Sequence, residues 1–161
     1  SEQLSVDDVL EVRVRVHEYV PKVMQVEHPS SGYAAKFSVP YCVAAALRDG
    51  RAGLSAFDDV DPELVEIGRR VRVEVHPDLV GGDSFFEKEF TDVEIRTNRG
   101  TVERRVSRLT NRGTGSLDRD ELLEKFSECA AYSVDAPTDL AAAVDGLLSS
   151  EHEEQWSLWR A

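Results

Sequence analysis

Leu10-Glu11-Val12-Arg13-Val14-Arg15-Val16 alternates apolar with charged residues, the two-residue period of a strand buried on one face. Val71, Val73 and Val75 repeat the pattern against Arg72, Glu74 and His76. A third alternating segment runs through Val93, Ile95 and Thr97, and a fourth through Val102, Arg104 and Val106. Asn98-Arg99-Gly100 joins those two with the length and the glycine of a hairpin connection. Four short strands, each with one apolar face, predict a mainly antiparallel sheet covered on one side.

Helices supply the cover. Ser38 to Leu47 reads as a helix with Ser38 as N-cap, Pro40 in the first turn and Gly50 past the end. Asp61 to Arg69 is a shorter one, with Asp61 as N-cap and Pro62 next. Asp118-Arg119-Asp120-Glu121 opens a third, on which Leu122, Phe126 and Cys129 share a face. Asp135 with Pro137 opens a fourth, striped by Leu140, Val144, Leu147 and Leu148. Ser5-Val6-Asp7-Asp8 reads as a short capped turn ahead of the first strand. The predicted fold class is α+β: a two-layer arrangement of a four-stranded, mainly antiparallel sheet with helices on one face, plus a C-terminal helical segment. The boundary falls in Thr110 to Gly115, giving an α+β part over 1–115 and a helical segment over 116–161. Trp156 and Trp159, three apart in a polar stretch, are expected to dock on something.

The 161 residues are 41% hydrophobic and 31% charged, which suits a folded core and not a disordered tail. Lys and Arg number 19 against 31 Asp and Glu, a net charge of -12. That balance argues against nucleic acid and against anionic membrane surfaces as partners. No apolar run approaches the roughly 20 residues of a bilayer span, and no stretch reads as a signal peptide; a cytoplasmic location is expected. Of the basic residues, 15 are Arg and 4 are Lys. GC-rich coding and a salt-adapted acidic surface both account for that bias. Cys42 and Cys129 lie in apolar helical patterns without a nearby Cys or His at ligand spacing, so both are expected to be buried free thiols, with no metal.

Most of the chain is silent on chemistry. It has no phosphate-cradling glycine loop, no His-x-x-x-His pair and no Gly-x-Ser-x-Gly elbow. The histidines His17, His28, His76 and His152 are far apart, and His17 and His76 end strands on the charged face. Arg104, Arg105, Arg108 and Arg112 suit a solvated, cross-strand-paired face better than a carboxylate trap. One segment differs: Lys36-Phe37-Ser38-Val39-Pro40-Tyr41-Cys42, continuing to Gly50. Lys36 precedes a helix whose first turn points free N–H groups and a partial positive charge at the same place. Tyr41, in that turn, lies at the end a carboxylate would approach, a setting that lets it donate or exchange a proton. The plain alternative is a buried helix start, with Tyr41 bonded to backbone and Lys36 solvated.

This segment resembles the Lys-Phe-Ser-Leu-Pro-Tyr stretch of the MmgE/PrpD family, which includes 2-methylcitrate dehydratase, cis-aconitate decarboxylase and iminodisuccinate epimerase. Leu54-Ser55-Ala56-Phe57, the helix near Pro62, the strand Val71 to His76 with Pro77-Asp78, the hairpin at Gly100 and Asp120-Glu121-Leu122 with Lys125-Phe126 follow the family's order. The resemblance covers most of Leu10 to Leu148. It implies the C-terminal lid domain of a two-domain enzyme acting on small di- and tricarboxylates, without an obligatory cofactor. A proton next to a carboxylate is removed, and dehydration, decarboxylation or epimerisation follows. By the resemblance Tyr41 is the candidate catalytic residue, and Lys36 and Ser38 are the candidate substrate-binding residues. The family's helical-domain residues and its Lys-and-His motif before the first strand have no match here. The chain is therefore expected to be a C-terminal fragment, inactive alone, whose helical partner domain is missing. Its uncovered apolar stripes predict a homo-oligomer or a repacked C-terminal segment. The alternative is a non-catalytic protein-interaction module using Arg13, Arg15, Arg72 and Arg96 on the sheet's charged face.

Overall fold

The computed structural model describes residues 5–81, 90–106, 119–133 and 139–148. The chain divides into two compact units, Ser1–Leu109 and Thr110–Ala161. In the first, the four alternating segments form strands β1 (Val9–Val16), β2 (Val71–Val75), β3 (Thr91–Thr97) and β4 (Gly100–Val106). Their order in the sheet is β2-β1-β3-β4. β1 runs parallel to β2 and antiparallel to β3, and β3 runs antiparallel to β4. The sheet is thus mixed and mostly antiparallel, as the α+β reading expected. The hairpin turns through Asn98 and Arg99 into Gly100, whose φ of 142° only glycine adopts readily.

Register sorts the two faces. Val12 lies opposite Val71 and Ile95, and Val14 opposite Val73 and Val93. These side chains share one face, and Val9, Val12, Val14, Val16 and Val71 are buried there. Each fully buried valine contributes roughly 1.5–3 kcal/mol of apolar transfer. On the other face, Arg13 lies opposite Glu94, and Arg15 opposite both Glu74 and Asp92. β4 is exposed along its whole length.

Among the described residues, four α-helices lie between β1 and β2: α1 (Val20–Val23), α2 (Gly32–Ala35), α3 (Val39–Asp49) and α4 (Pro62–Gly68). The four-residue helices α1 and α2 are too short to show a period, and pattern reading leaves them unmarked. α3 starts at Ser38, whose hydroxyl accepts the N–H of Tyr41, and stops at Gly50 in the left-handed region. One side of α3 sends Val43 and Leu47 onto the valine cluster of the sheet. The other packs Tyr41, Ala44 and Ala45 with Leu64 and Ile67 of α4. The two helices close tightly, since a Cβ at Gly68 would lie 3.3 Å from the carbonyl of Pro40.

The second unit contains α5 (Arg119–Ala130) and α6 (Leu140–Leu148). Arg119 forks onto Asp145 at 2.6 and 2.9 Å, and Asp139 accepts the N–H of Ala142 at the start of α6. Asp118, Asp135, Pro137, Trp156 and Trp159 lie outside the described residues, as do Arg108, Arg112 and His152. The expectation of two buried thiols is corrected. Both cysteines are free, but Cys42 is only partly buried and Cys129 is exposed. Cys129 sits in the last turn of α5, beyond the half-buried Leu122 and Phe126.

Candidate functional site

The segment from Lys36 to Gly50 begins where α2 ends. Ser31 caps α2 by accepting the N–H of Ala34 at 3.2 Å. The backbone N–H groups of Lys36, Phe37 and Ser38 then bond back to Tyr33, Ala34 and Ala35. This tight exit turns the chain directly into α3. At the start of α2, Gly32 allows close approach to the Leu54–Phe57 turn, because a Cβ there would overlap the carbonyl oxygen of Phe57.

The three candidate residues occupy different environments. Lys36 is exposed at the C-cap of α2. Ser38 is fully buried, and its hydroxyl oxygen accepts the Tyr41 N–H at 3.3 Å. Tyr41 is 1% exposed, its ring tilted against Phe57 with centroids 6.2 Å apart. Among the described residues, the Tyr41 hydroxyl meets backbone groups. It donates toward the carbonyl of Ala56 at 2.9 Å, with that of Asp59 at 3.4 Å, and accepts the N–H of Asp61 at 3.0 Å. The start of α3 is therefore a buried, backbone-bonded helix entry with one exposed cation beside it.

Asp61 links this entry to the next helix. Its carboxylate accepts the N–H of Glu63 at the start of α4 and binds Arg48 in the last turn of α3. Arg48 also holds Asp49 and Glu63. Its guanidinium keeps the Asp61 carboxyl below the usual carboxylate range, aided by the Glu63 N–H.

The charged face of the sheet is a ladder of ion pairs. Arg13 and Arg15 both reach Glu74 and Glu94, at 3.2 to 3.6 Å. The buried Nε of Arg13 lies 3.3 Å from Glu74 yet is not aligned for a hydrogen bond. Arg96 reaches Glu11 at 3.2 Å. Arg72 makes no ion pair among the described residues.

A network invisible to pattern reading sits where β2 ends. His76 is buried, accepts the Asp78 N–H at Nδ1, and places Nε2 3.2 Å from Asp92. The backbone bond at Nδ1 puts the ring proton on Nε2, facing Asp92. Arg105 forks onto the same carboxylate at 2.7 and 2.8 Å and lies 4.0 Å over the ring of Phe90. Hydrogen bonding from Arg105 holds the Asp92 carboxyl below its ordinary range. His17 repeats the motif one strand over, accepting the Tyr19 N–H at Nδ1. Both rings cap the chain just past a strand end. Sequence carries no signal for it, because the register that sets Arg105 opposite Asp92 is a property of the folded sheet.

Among the described residues, no group of three or more His, Cys, Asp or Glu side chains is placed to hold a metal ion. No described helix is long and apolar enough to cross a membrane. No curated protein matches the chain. The family model of the MmgE/PrpD C-terminal domain matches residues 1–147, and the chain belongs to that family.

Proposed function

We propose that this chain serves as the C-terminal domain of an enzyme that removes a proton next to a carboxylate in a small di- or tricarboxylate. Dehydration, decarboxylation or epimerisation follows from that step. The observation that carries this reading is the family match across residues 1–147, with Lys36 to Tyr41 at the entry to α3. In it, Lys36 attracts a substrate carboxylate, Ser38 orders the helix start behind it, and Tyr41 exchanges the proton. The rest of the machinery comes from the family's N-terminal domain, so the C-terminal domain alone turns nothing over.

The burial of Tyr41 and its backbone bonds favour a second reading for that residue alone. In this second reading Tyr41 pins the loop through Ala56 and Asp61, and Lys36 is the domain's contribution to substrate binding. Turnover by the two-domain enzyme separates the readings. With Tyr41 as the proton carrier, Tyr41→Phe lowers kcat by roughly two orders of magnitude or more. With Tyr41 as a pin, kcat per folded molecule is unchanged while the unfolding midpoint drops. Lys36→Ala raises KM in both. A Lys36→Ala enzyme with wild-type KM and kcat takes this entry out of substrate binding.

A further inference from the structure

β2 is an edge strand of the sheet, and no described strand pairs with its outer side. In its parallel pairing with β1, the N–H of Val12 bonds to Arg70 and the N–H of His76 to Val16. That ladder leaves the N–H and C=O groups of Val71, Val73 and Val75 pointing away from β1. None of these six groups meets a partner among the described residues. They are not on open surface throughout, for Val71 is only 5% exposed. A groove of about 790 Å³ runs beside the edge, walled in part by Pro21, Met24, Val26 and Pro40. Sheltered backbone groups without partners are costly, and an incoming strand is the ordinary remedy.

We infer that the occupant is the β2 edge of a second copy of this chain, joined antiparallel about a two-fold axis at Val73. The sequence Val71-Arg72-Val73-Glu74-Val75 is complementary to itself in that register. Val73 meets Val73 and Val71 meets Val75, so all twelve open groups of the two strands close into six hydrogen bonds. Between them, Arg72 of each copy stands opposite Glu74 of the other, on the same face of the sheet. Arg72 has no ion pair of its own among the described residues. Glu74, with a side chain 48% exposed, keeps room for it while contacting Arg13 and Arg15. The two sheets become one of eight strands, without using the helical segment. This inference does not rest on the proposed enzymatic activity.

Sedimentation of the full chain over a range of concentrations tests it, together with hydrogen exchange. A dimer is expected, with the amides of Val71, Val73 and Val75 protected and losing protection on dilution. Arg72→Glu sets like charges opposite each other twice and raises the dimer dissociation constant roughly tenfold. Adding Glu74→Arg to that variant restores the pairing with its signs exchanged. Val73→Pro removes an outward N–H without touching the β1 ladder, and abolishes the dimer. Should that variant misfold, the charge exchange and the wild-type amide protection still decide. A monomer at all concentrations overturns the inference. So does a dimer indifferent to the Arg72 reversal, or one whose β2 amides exchange freely.

Discussion

The phenolic oxygen of Tyr41 lies 3.0 Å from the backbone nitrogen of Asp61, and that bond ties the first turn of α3 to the first residue of the α4 cap. Asp61 thereby holds three positions at once: its N–H on Tyr41, one carboxylate oxygen on the Glu63 N–H, the other on Arg48. The two ends of the α3–α4 connection are locked to each other through a single residue.

Removing the hydroxyl exposes what that lock contributes. Tyr41→Phe keeps the ring in the core but strands the half-buried Asp61 N–H and Ala56 carbonyl, costing about 1–3 kcal/mol. Urea unfolding of the chain should show a lower midpoint with an unchanged slope. An unaltered midpoint would mean that water replaces the hydroxyl without loss.

Gly32 is the tighter constraint. A methyl group there drives into the backbone of Phe57 rather than into a movable side chain. Gly32→Ala is expected to cost about 1–3 kcal/mol, the usual penalty of overpacking, read as a fall in the thermal midpoint. Gly50→Ala, with open space around its Cβ but a φ of 80°, should cost less, near 1 kcal/mol.

Acid should weaken the first unit through Asp61 and Asp92. Both carboxyls are held below their ordinary range, chiefly by hydrogen bonds from Arg48 and Arg105. A depressed folded-state value means that the stabilisation is complete above the unfolded value, near pH 4, and fades as pH falls through the folded one. The denaturant midpoint is therefore expected to be flat with respect to these groups from pH 7 to about pH 5 and to fall below about pH 4. Asp92→Asn should flatten part of that acid limb, and a limb of unchanged steepness would remove Asp92 from it.

The two thiols should react at different rates. Cys129 is exposed, whereas burial pushes the Cys42 thiol up and shields it. A chromogenic disulfide reagent at neutral pH is expected to label one thiol quickly and the second slowly. Cys129→Ser should delete the fast phase, and deletion of the slow one instead would reverse the assignment.

Much of the sheet was legible because alternation is a local property. Val12, Val14 and Val16 announce their buried face without help from any other part of the chain. Alternation cannot name the neighbour, so nothing in Leu10 to Val16 says that β1 takes β2 as a parallel partner. The caps at Ser38 and Asp61 were legible for the same local reason, since a short polar side chain before an apolar run marks a helix start. Tyr41 was ambiguous because its fate depends on a loop some fifteen residues later, whose carbonyl at Ala56 receives the hydroxyl. Cys129 misled because a helical stripe predicts a face and not whether anything covers its last turn. The His76–Asp92–Arg105 cluster could not be read at all before the three registers joining four strands were known.

The central place of β1 has a consequence for how the domain is made. Val12 must find Val71 on one side and Ile95 on the other, about sixty and eighty residues later in the chain. A ribosome therefore releases the valine stripe long before either neighbour exists. Until β2 and β3 emerge, the earliest strand of the sheet is a solitary adhesive edge. Its safe passage depends on the alternating Glu11, Arg13 and Arg15, which keep one side of it wet while it waits.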